Sequence, residues 1–455
     1  MDATLILQNL KSGSITPENL IADTFAKIER ENPRLNAVTE IMKNEAEKQL
    51  KNLPKGMLSG LPISIKECYS ISGKKITSGS KRMKPIDCEE DAAVVKKLKE
   101  AGAVIVARGN TSEFLLGRET DNLLIGTTNN AINPELTTGG SSGGDGVLVG
   151  GECVAFGIGT DIGGSCRFPA VFNGIVGFKP ASGQIDKNGI FPIAGNAFSE
   201  SMNSPGILCR SVRDARMVYN VIGDKQLDSN SEFKDCRIFT STTFQVKIKD
   251  ESISNALNKS ISFFKTSSFE VKDIDILESG KLYPMFVTLI IGGFRDKIYE
   301  WSITENGEKL YLMKEFFRRL FVKPTISNEL YALLTPFALL NPSKSKMQKT
   351  IDEVIMLREK YYELLGKNGV LILPTLGILA PKHKKFIPQY NKPGVIEIIT
   401  PVSFCNILNL SCVTIPAWKF QKNKDTDPPG IQLVCAPGNE ELLLNIAEQL
   451  EKDLR

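Results

Sequence analysis

The chain has 455 residues, 42% hydrophobic and 24% charged, with a formal net charge of +4. That balance provides ample core and lacks the concentrated basic stripe of a nucleic-acid binder, so no nucleic-acid partner is expected. Nine cysteines, with no C-x-x-C pair and no histidine partner, argue against a zinc site or a disulfide framework and point to a reducing compartment.

The first residues show no basic stretch followed by an apolar run, and no segment of about 18 continuous apolar residues occurs. No signal peptide or spanning helix is therefore expected, and the expected location is the cytoplasm or the surface of an intracellular membrane. Residues 14–32 predict a helix: Thr16 can cap it, Pro17 suits its first position, and Leu20, Thr24, Phe25 and Ile28 form one stripe. Asn32-Pro33 is its expected end. Gly60-Leu61-Pro62-Ile63-Ser64-Ile65 predicts a short buried strand that delivers Lys66 at its end. A helix over 91–102, stopped by Gly102, feeds a strand over 103–107, half of a β-α-β crossover. Residues 147–150 continue a short helix out of one glycine turn, and a strand over 154–158 leads into a second. Further on, a helix over 347–365 stops at Gly366, strands cover 370–373 and 431–434, and a last helix starts near Glu440. This alternation predicts an α/β fold: one large domain over 1–455, with a mixed, mostly parallel twisted sheet covered by helices on both faces.

The two glycine turns read Thr137-Thr138-Gly139-Gly140-Ser141-Ser142-Gly143-Gly144 and Thr160-Asp161-Ile162-Gly163-Gly164-Ser165. Neither is a nucleotide loop. The first lacks a following Gly-Lys-Ser/Thr, and Gly157-Ile158-Gly159-Thr160-Asp161-Ile162 ends on the wrong residue for a dinucleotide fingerprint. A serine nucleophile needs a base, commonly histidine. The only imidazole, His383, lies in Lys382-His383-Lys384-Lys385, which reads as solvated surface. A different base is expected. Taken singly, each turn fits a structural role and Lys66 fits a solvated strand-end lysine; the combination is specific.

Gly60 to Lys66, the first turn, Thr160 to Ala170 (continuing Cys166-Arg167-Phe168-Pro169-Ala170) and Gly174-Ile175-Val176-Gly177-Phe178-Lys179-Pro180 together resemble the amidase signature family. The resemblance runs from about Leu10 to the C-terminus and is densest over 60–182. It implies that Ser165 is the nucleophile, Ser141 a bridging serine joined to Gly140 by a cis peptide, and Lys66 the base. It implies an oxyanion hole of backbone N–H groups at Ile162, Gly163, Gly164 and Ser165, with Ser142 supporting by a hydrogen bond and no metal or cofactor. Elementary chemistry agrees. Consecutive amides in a glycine turn form an anion-binding nest. A basic Lys66 must fall roughly three units from about 10.4, which burial achieves.

Glu67-Cys68 after the lysine and Gly144-Asp145-Gly146 after the first turn are similar to fatty-acid amide hydrolases. Lys187-Asn188-Gly189-Ile190-Phe191-Pro192, Ala380-Pro381-Lys382-His383 and Pro429-Gly430-Ile431-Gln432-Leu433-Val434 extend the similarity to the second vertebrate type. That branch implies a small-molecule amide substrate, a fatty-acid amide, and a homodimer. The alternative is the A subunit of glutamyl-tRNA amidotransferase, a glutaminase that supplies ammonia, although its tyrosine-rich middle segment is not found. A member kept for binding alone is a third reading, which the intact serines and lysine oppose. The apolar run 282–294, interrupted by Pro284, is too short to span a bilayer. Within 308–322, Leu310, Met313, Phe317, Leu320 and Phe321 share a face, with Lys314, Arg318 and Arg319 elsewhere. The pattern fits a basic amphipathic helix resting on a membrane or lining an acyl channel; a helix packed on the core gives the same stripe.

Overall fold

The computed structural model describes residues 1–229, 235–339, 341–384 and 396–455. Its strands are β1 (Val38–Ile41), β2 (Pro62–Lys66), β3 (Lys75–Ile76), β4 (Ile86–Asp87), β5 (Val104–Gly109), β6 (Phe156–Asp161) and β7 (Val176–Lys179). They continue as β8 (Ser204–Cys209), β9 (Arg237–Thr240), β10 (Glu270–Asp273), β11 (Gly369–Pro374), β12 (Ser411–Pro416) and β13 (Gly430–Cys435). Apart from the small β3–β4 pair, they form one sheet in the order β1-β5-β2-β6-β8-β7-β12-β13-β11-β9-β10.

The sheet is mixed. Parallel ladders join β5, β2 and β6 on one side and β11, β9 and β10 on the other. Antiparallel ladders fill the middle, where β6 pairs β8, β8 pairs β7, β7 pairs β12 and β12 pairs β13. Strand alternation sends successive residues to opposite faces. Val370 and Ile372 of β11 accordingly pack with Val212–Ile222 and Glu440–Leu454 residues, whereas Leu371 and Leu373 pack with residues of Ser279–Trp301 and Lys344–Leu365. Helices thus cover both faces.

The helix ends follow local chemistry. Thr16 Oγ1 accepts from Asn19 N at 3.2 Å, and Pro17 opens the helix Pro17–Leu35 as expected. The helix does not stop at Asn32-Pro33. It passes through Pro33 and ends at Asn36, which adopts φ 49° and donates its N–H to Asn32 O. Asn32 Oδ1 takes the next two amides, Ala37 and Val38, at 2.8 and 3.1 Å. Pro33 removes a donor and crowds the preceding turn without ending the helix, and the stop is made by the Asn32 and Asn36 side-chain and backbone bonds.

The run around Pro284 belongs to the single helix Ser279–Trp301, and among the described residues no helix is long and apolar enough to cross a membrane. All nine cysteines are buried and free. Lys382 is exposed and pairs with exposed Glu135, while Lys385 lies outside the described residues.

Candidate active site

Lys66 is the last residue of β2, a strand buried along its whole length between β5 and β6. Its side chain is fully buried. Nζ lies 2.7 Å from Ser141 Oγ, 3.0 Å from Ser142 Oγ and 2.9 Å from Thr160 Oγ1. No carboxylate is among these three partners. Burial, the largest influence, pushes the ammonium below the ordinary lysine value, against the opposing pull of Cys68, Cys166, Asp145 and Asp161.

The two turns converge on this amine because β6 runs beside β2. β6 ends at Asp161 and presents Thr160, and the turn that follows carries Ser165. The first turn precedes the helix Gly143–Gly150, and its Gly140–Ser141 peptide is cis. Ser142 N donates to Ser165 O at 3.1 Å, which ties one turn to the other. Ser165 is 7% exposed, whereas Lys66, Ser141 and Ser142 are at 0%. Among the described residues Ser165 Oγ makes no hydrogen bond. Of the four hydroxyl or amine groups, only Ser165 meets solvent.

The second turn is braced from below. Asp161 Oδ1 accepts Gly164 N at 2.8 Å and Oδ2 accepts Cys166 N at 3.2 Å. Gly164 holds φ 103°, a backbone state open to glycine, and its missing side chain leaves room for Phe168. Arg167 closes on the same carboxylate through Nε at 3.0 Å and Nη2 at 2.9 Å, and both residues are fully buried. Burial would raise the Asp161 carboxyl, but the Arg167 charge and hydrogen bonds override it and hold the group well below the usual carboxylate range. Arg167 also reaches Gln432 Oε1 at 2.8 Å, and Asn406 donates to Asp161 O and Oδ1 at 3.0 and 2.9 Å. With Gly164 N–H occupied by Asp161, the amides of Ile162, Gly163 and Ser165 are left without a hydrogen bond among the described residues.

A small pocket of about 20 Å³ lies beside Thr160 and Ile162, walled by Phe114, Leu115, Ile190 and Phe294. Val402 and Phe168 pack against Gly164 within an apolar cluster that includes Ile398 and Ile399. His383 is elsewhere: its ring lies 3.0 Å from Pro134 O, and its own N–H donates to Glu135 O.

Sequence reasoning brought Lys66, Ser141, Ser142 and the Ile162 to Ser165 turn to attention, and the structure gathers them at one place. It gave no role to Thr160, to Tyr69, whose hydroxyl donates to Gly159 O at 2.7 Å, or to Asn406. Thr160 stands in the quoted motif at a strand end, so its position was visible. Asn406 carries no local signal.

The mixed sheet thus places a buried amine at the end of β2, one serine turn after β6 and a second serine turn ahead of the helix Gly143–Gly150. The Amidase family pattern matches residues 19–444, so the chain belongs to the Amidase family and is an amide hydrolase. It is 27% identical to fatty-acid amide hydrolase 2-B of Danio rerio, over 99% of this chain and 89% of that one. It is 25% identical to the A subunit of glutamyl-tRNA(Gln) amidotransferase from Sulfurisphaera tokodaii, over 99% and 97% of the two chains. The fold is shared with 6-aminohexanoate cyclic dimer hydrolase, with a TM-score of 0.83, 22% identity and coverage of 100% of this chain and 97% of that chain.

Proposed function

We propose that this amidase cleaves amides with an apolar acyl group, fatty-acid amides, using Ser165 as nucleophile, Ser141 as proton relay and Lys66 as base. The observation that carries the reading is the burial order: a fully enclosed amine whose proton affinity burial lowers, a hydroxyl 2.7 Å from it, and one neighbouring serine at the solvent edge. Ser165 Oγ attacks the carbonyl carbon while its proton moves to Ser141 Oγ and the Ser141 proton moves to Lys66 Nζ. The carbonyl oxygen, now an anion, takes hydrogen bonds from the free amides of the second turn, each such donor worth about 3–4 kcal/mol in the transition state. Collapse breaks the C–N bond, and the proton returns through Ser141 to the departing amine. Water then attacks the acyl-enzyme by the same relay and releases the acid.

The substrate assignment rests on the pocket beside Ile162, whose lining residues include no charged side chain. An acyl chain suits such walls; the ammonium and carboxylate of glutamine find no ionic partner there. The glutaminase reading is supported by the similarity to amidotransferase A subunits. A panel separates them. The purified chain is expected to release acid from a fatty amide and an acyl arylamide and to leave free glutamine intact. Glutamine hydrolysis without turnover of either acyl amide would overturn the assignment.

Contact with a lipid surface is part of the same reading. In Leu312–Phe321 the buried residue is Glu315, whose carboxylate accepts Thr325 N and Thr325 Oγ1, both at 2.7 Å. The apolar side faces solvent: Met313 is 68% exposed, Leu320 58% and Phe321 78%. This argues against the core-packed alternative, although Leu310, expected on the same stripe, is buried. A helix anchored by its acid and bare on its greasy side suits the acyl boundary of a membrane, with Lys314 and Lys323 near headgroups. The protein is expected to float with phosphatidylserine vesicles, and Phe317→Ser with Leu320→Ser and Phe321→Ser to abolish flotation while sparing hydrolysis of a water-soluble amide. Equal flotation would remove the idea.

A further inference from the structure

Asp145, in the first turn of the helix Gly143–Gly150, is a carboxyl group fully buried beneath the sheet. One oxygen, Oδ1, accepts from Ser64 Oγ at 2.7 Å, and the other, Oδ2, has no partner. A buried carboxyl oxygen without a partner is costly and calls for a reason.

Its seat is built by the strands on either side of the lysine strand. Lys66 of β2 stands directly across the ladder from Gly109 of β5. A β-carbon placed on Gly109 would lie 2.5 Å from Asp145 Oδ2, so the carboxyl occupies the side-chain space that Gly109 leaves empty. Ladder partners project from the same face, about 4.8 Å apart, so this space adjoins the Lys66 stem. Ser64, two residues before Lys66, shares that face and pairs with Gly157 of β6. A β-carbon on Gly157 would lie 2.9 Å from both Asp145 Cβ and Ser64 Oγ. Any side chain at Gly109 or Gly157 would expel the acid.

The geometry points to Asp145 as a positioning residue that sets the proton affinity of Lys66 and with it the pH range over which Ser165 is activated. The inference rests on the reading of Lys66 as base. A carboxylate beside the amine favours the ammonium, and a neutral carboxyl releases that hold. Burial pushes Asp145 up to about 7, against the Ser64 hydrogen bond and the Lys66 charge, so the acid changes form near neutrality. The other titratable groups facing this space are Cys68, Tyr69 and Cys166, all pushed up by burial and neutral there, and Asp161, held ionised by Arg167. Lys66 and Asp145 therefore titrate as a coupled pair.

Asp145→Asn keeps an acceptor for Ser64 and removes the ionisable group. The rate at which a fluorophosphonate labels Ser165 in the full chain is measured against pH, with thermal melting as a check on folding. The acid limb is expected to move about one unit lower, because the amine then stays neutral in more acidic solution. Ser64→Ala, which removes the bond favouring the ionised acid, should move the limb the same way and covers the case in which Asp145→Asn does not fold. An unmoved or raised limb in a folded variant overturns the role of Asp145. Undiminished labelling at neutral pH in Lys66→Ala instead overturns the base assignment, so the two failures are distinguishable.

Discussion

Ser165→Ala is expected to lower amide hydrolysis by about 10⁶-fold, the loss seen when a nucleophile acting in a concerted unit is removed. The substitution deletes one solvent-edge oxygen that makes no hydrogen bond among the described residues, so folding stability should hold within about 0.5 kcal/mol. Fluorophosphonate labelling should vanish with activity. Ser141→Ala gives a contrasting result: its hydroxyl is enclosed, so the reagent can still meet Ser165, only slowly. A Ser165→Ala enzyme that retains turnover, or a label recovered on another residue, would end the assignment.

Lys66→Ala is expected to cost about 10²–10⁴-fold at neutral pH, the usual contribution of a positioned base. The direction of the pH dependence follows from the lowered proton affinity of the amine. In the unaltered enzyme the rate climbs as pH rises through the lysine's depressed value and then levels. Without the amine that limb disappears, and the residual rate grows with hydroxide. Because the side chain is fully enclosed, Lys66→Met is the better-packed comparison and separates lost chemistry from a lost fit. The double variant with Ser165→Ala should be scarcely worse than Ser165→Ala alone, since the two groups act on one proton. Activity at neutral pH equal to that of the unaltered chain would refute the role.

Much of this centre was legible because its parts sit at punctuation. Lys66 follows a buried apolar run, and the serines lie in glycine turns after or before regular elements, so residue type and strand-end position together mark them. Thr160 was in view yet silent: a threonine at a strand end looks like ordinary β-propensity until a neighbouring strand brings an amine to it. Asp145 stands in the Gly144-Asp145-Gly146 stretch that marks the family branch, but its meaning depends on Gly109 and Gly157, which are ladder neighbours of β2 and not chain neighbours of Asp145. The same holds for Arg167, whose partners Asn406 and Gln432 lie 239 and 265 positions away. The helix Leu312–Phe321 shows the limit of periodicity most clearly. A stripe tells that a helix is two-sided, but Glu315 and its bonds to Thr325 decide which side turns inward.

The knot of Asp161, Arg167, Asn406 and Gln432 has a consequence for how the enzyme comes to life. The turn that carries Ser165 is synthesised in the first half of the chain, but two of the side chains that fix its shape, Asn406 and Gln432, emerge from the ribosome only near the end. Long-range closures of this kind form late and slowly. A polypeptide ending before Asn406 is thus expected to carry Lys66, Ser141 and Ser165 and still to lack the bonds that hold their turn, so that activity arises only once the last strands have docked.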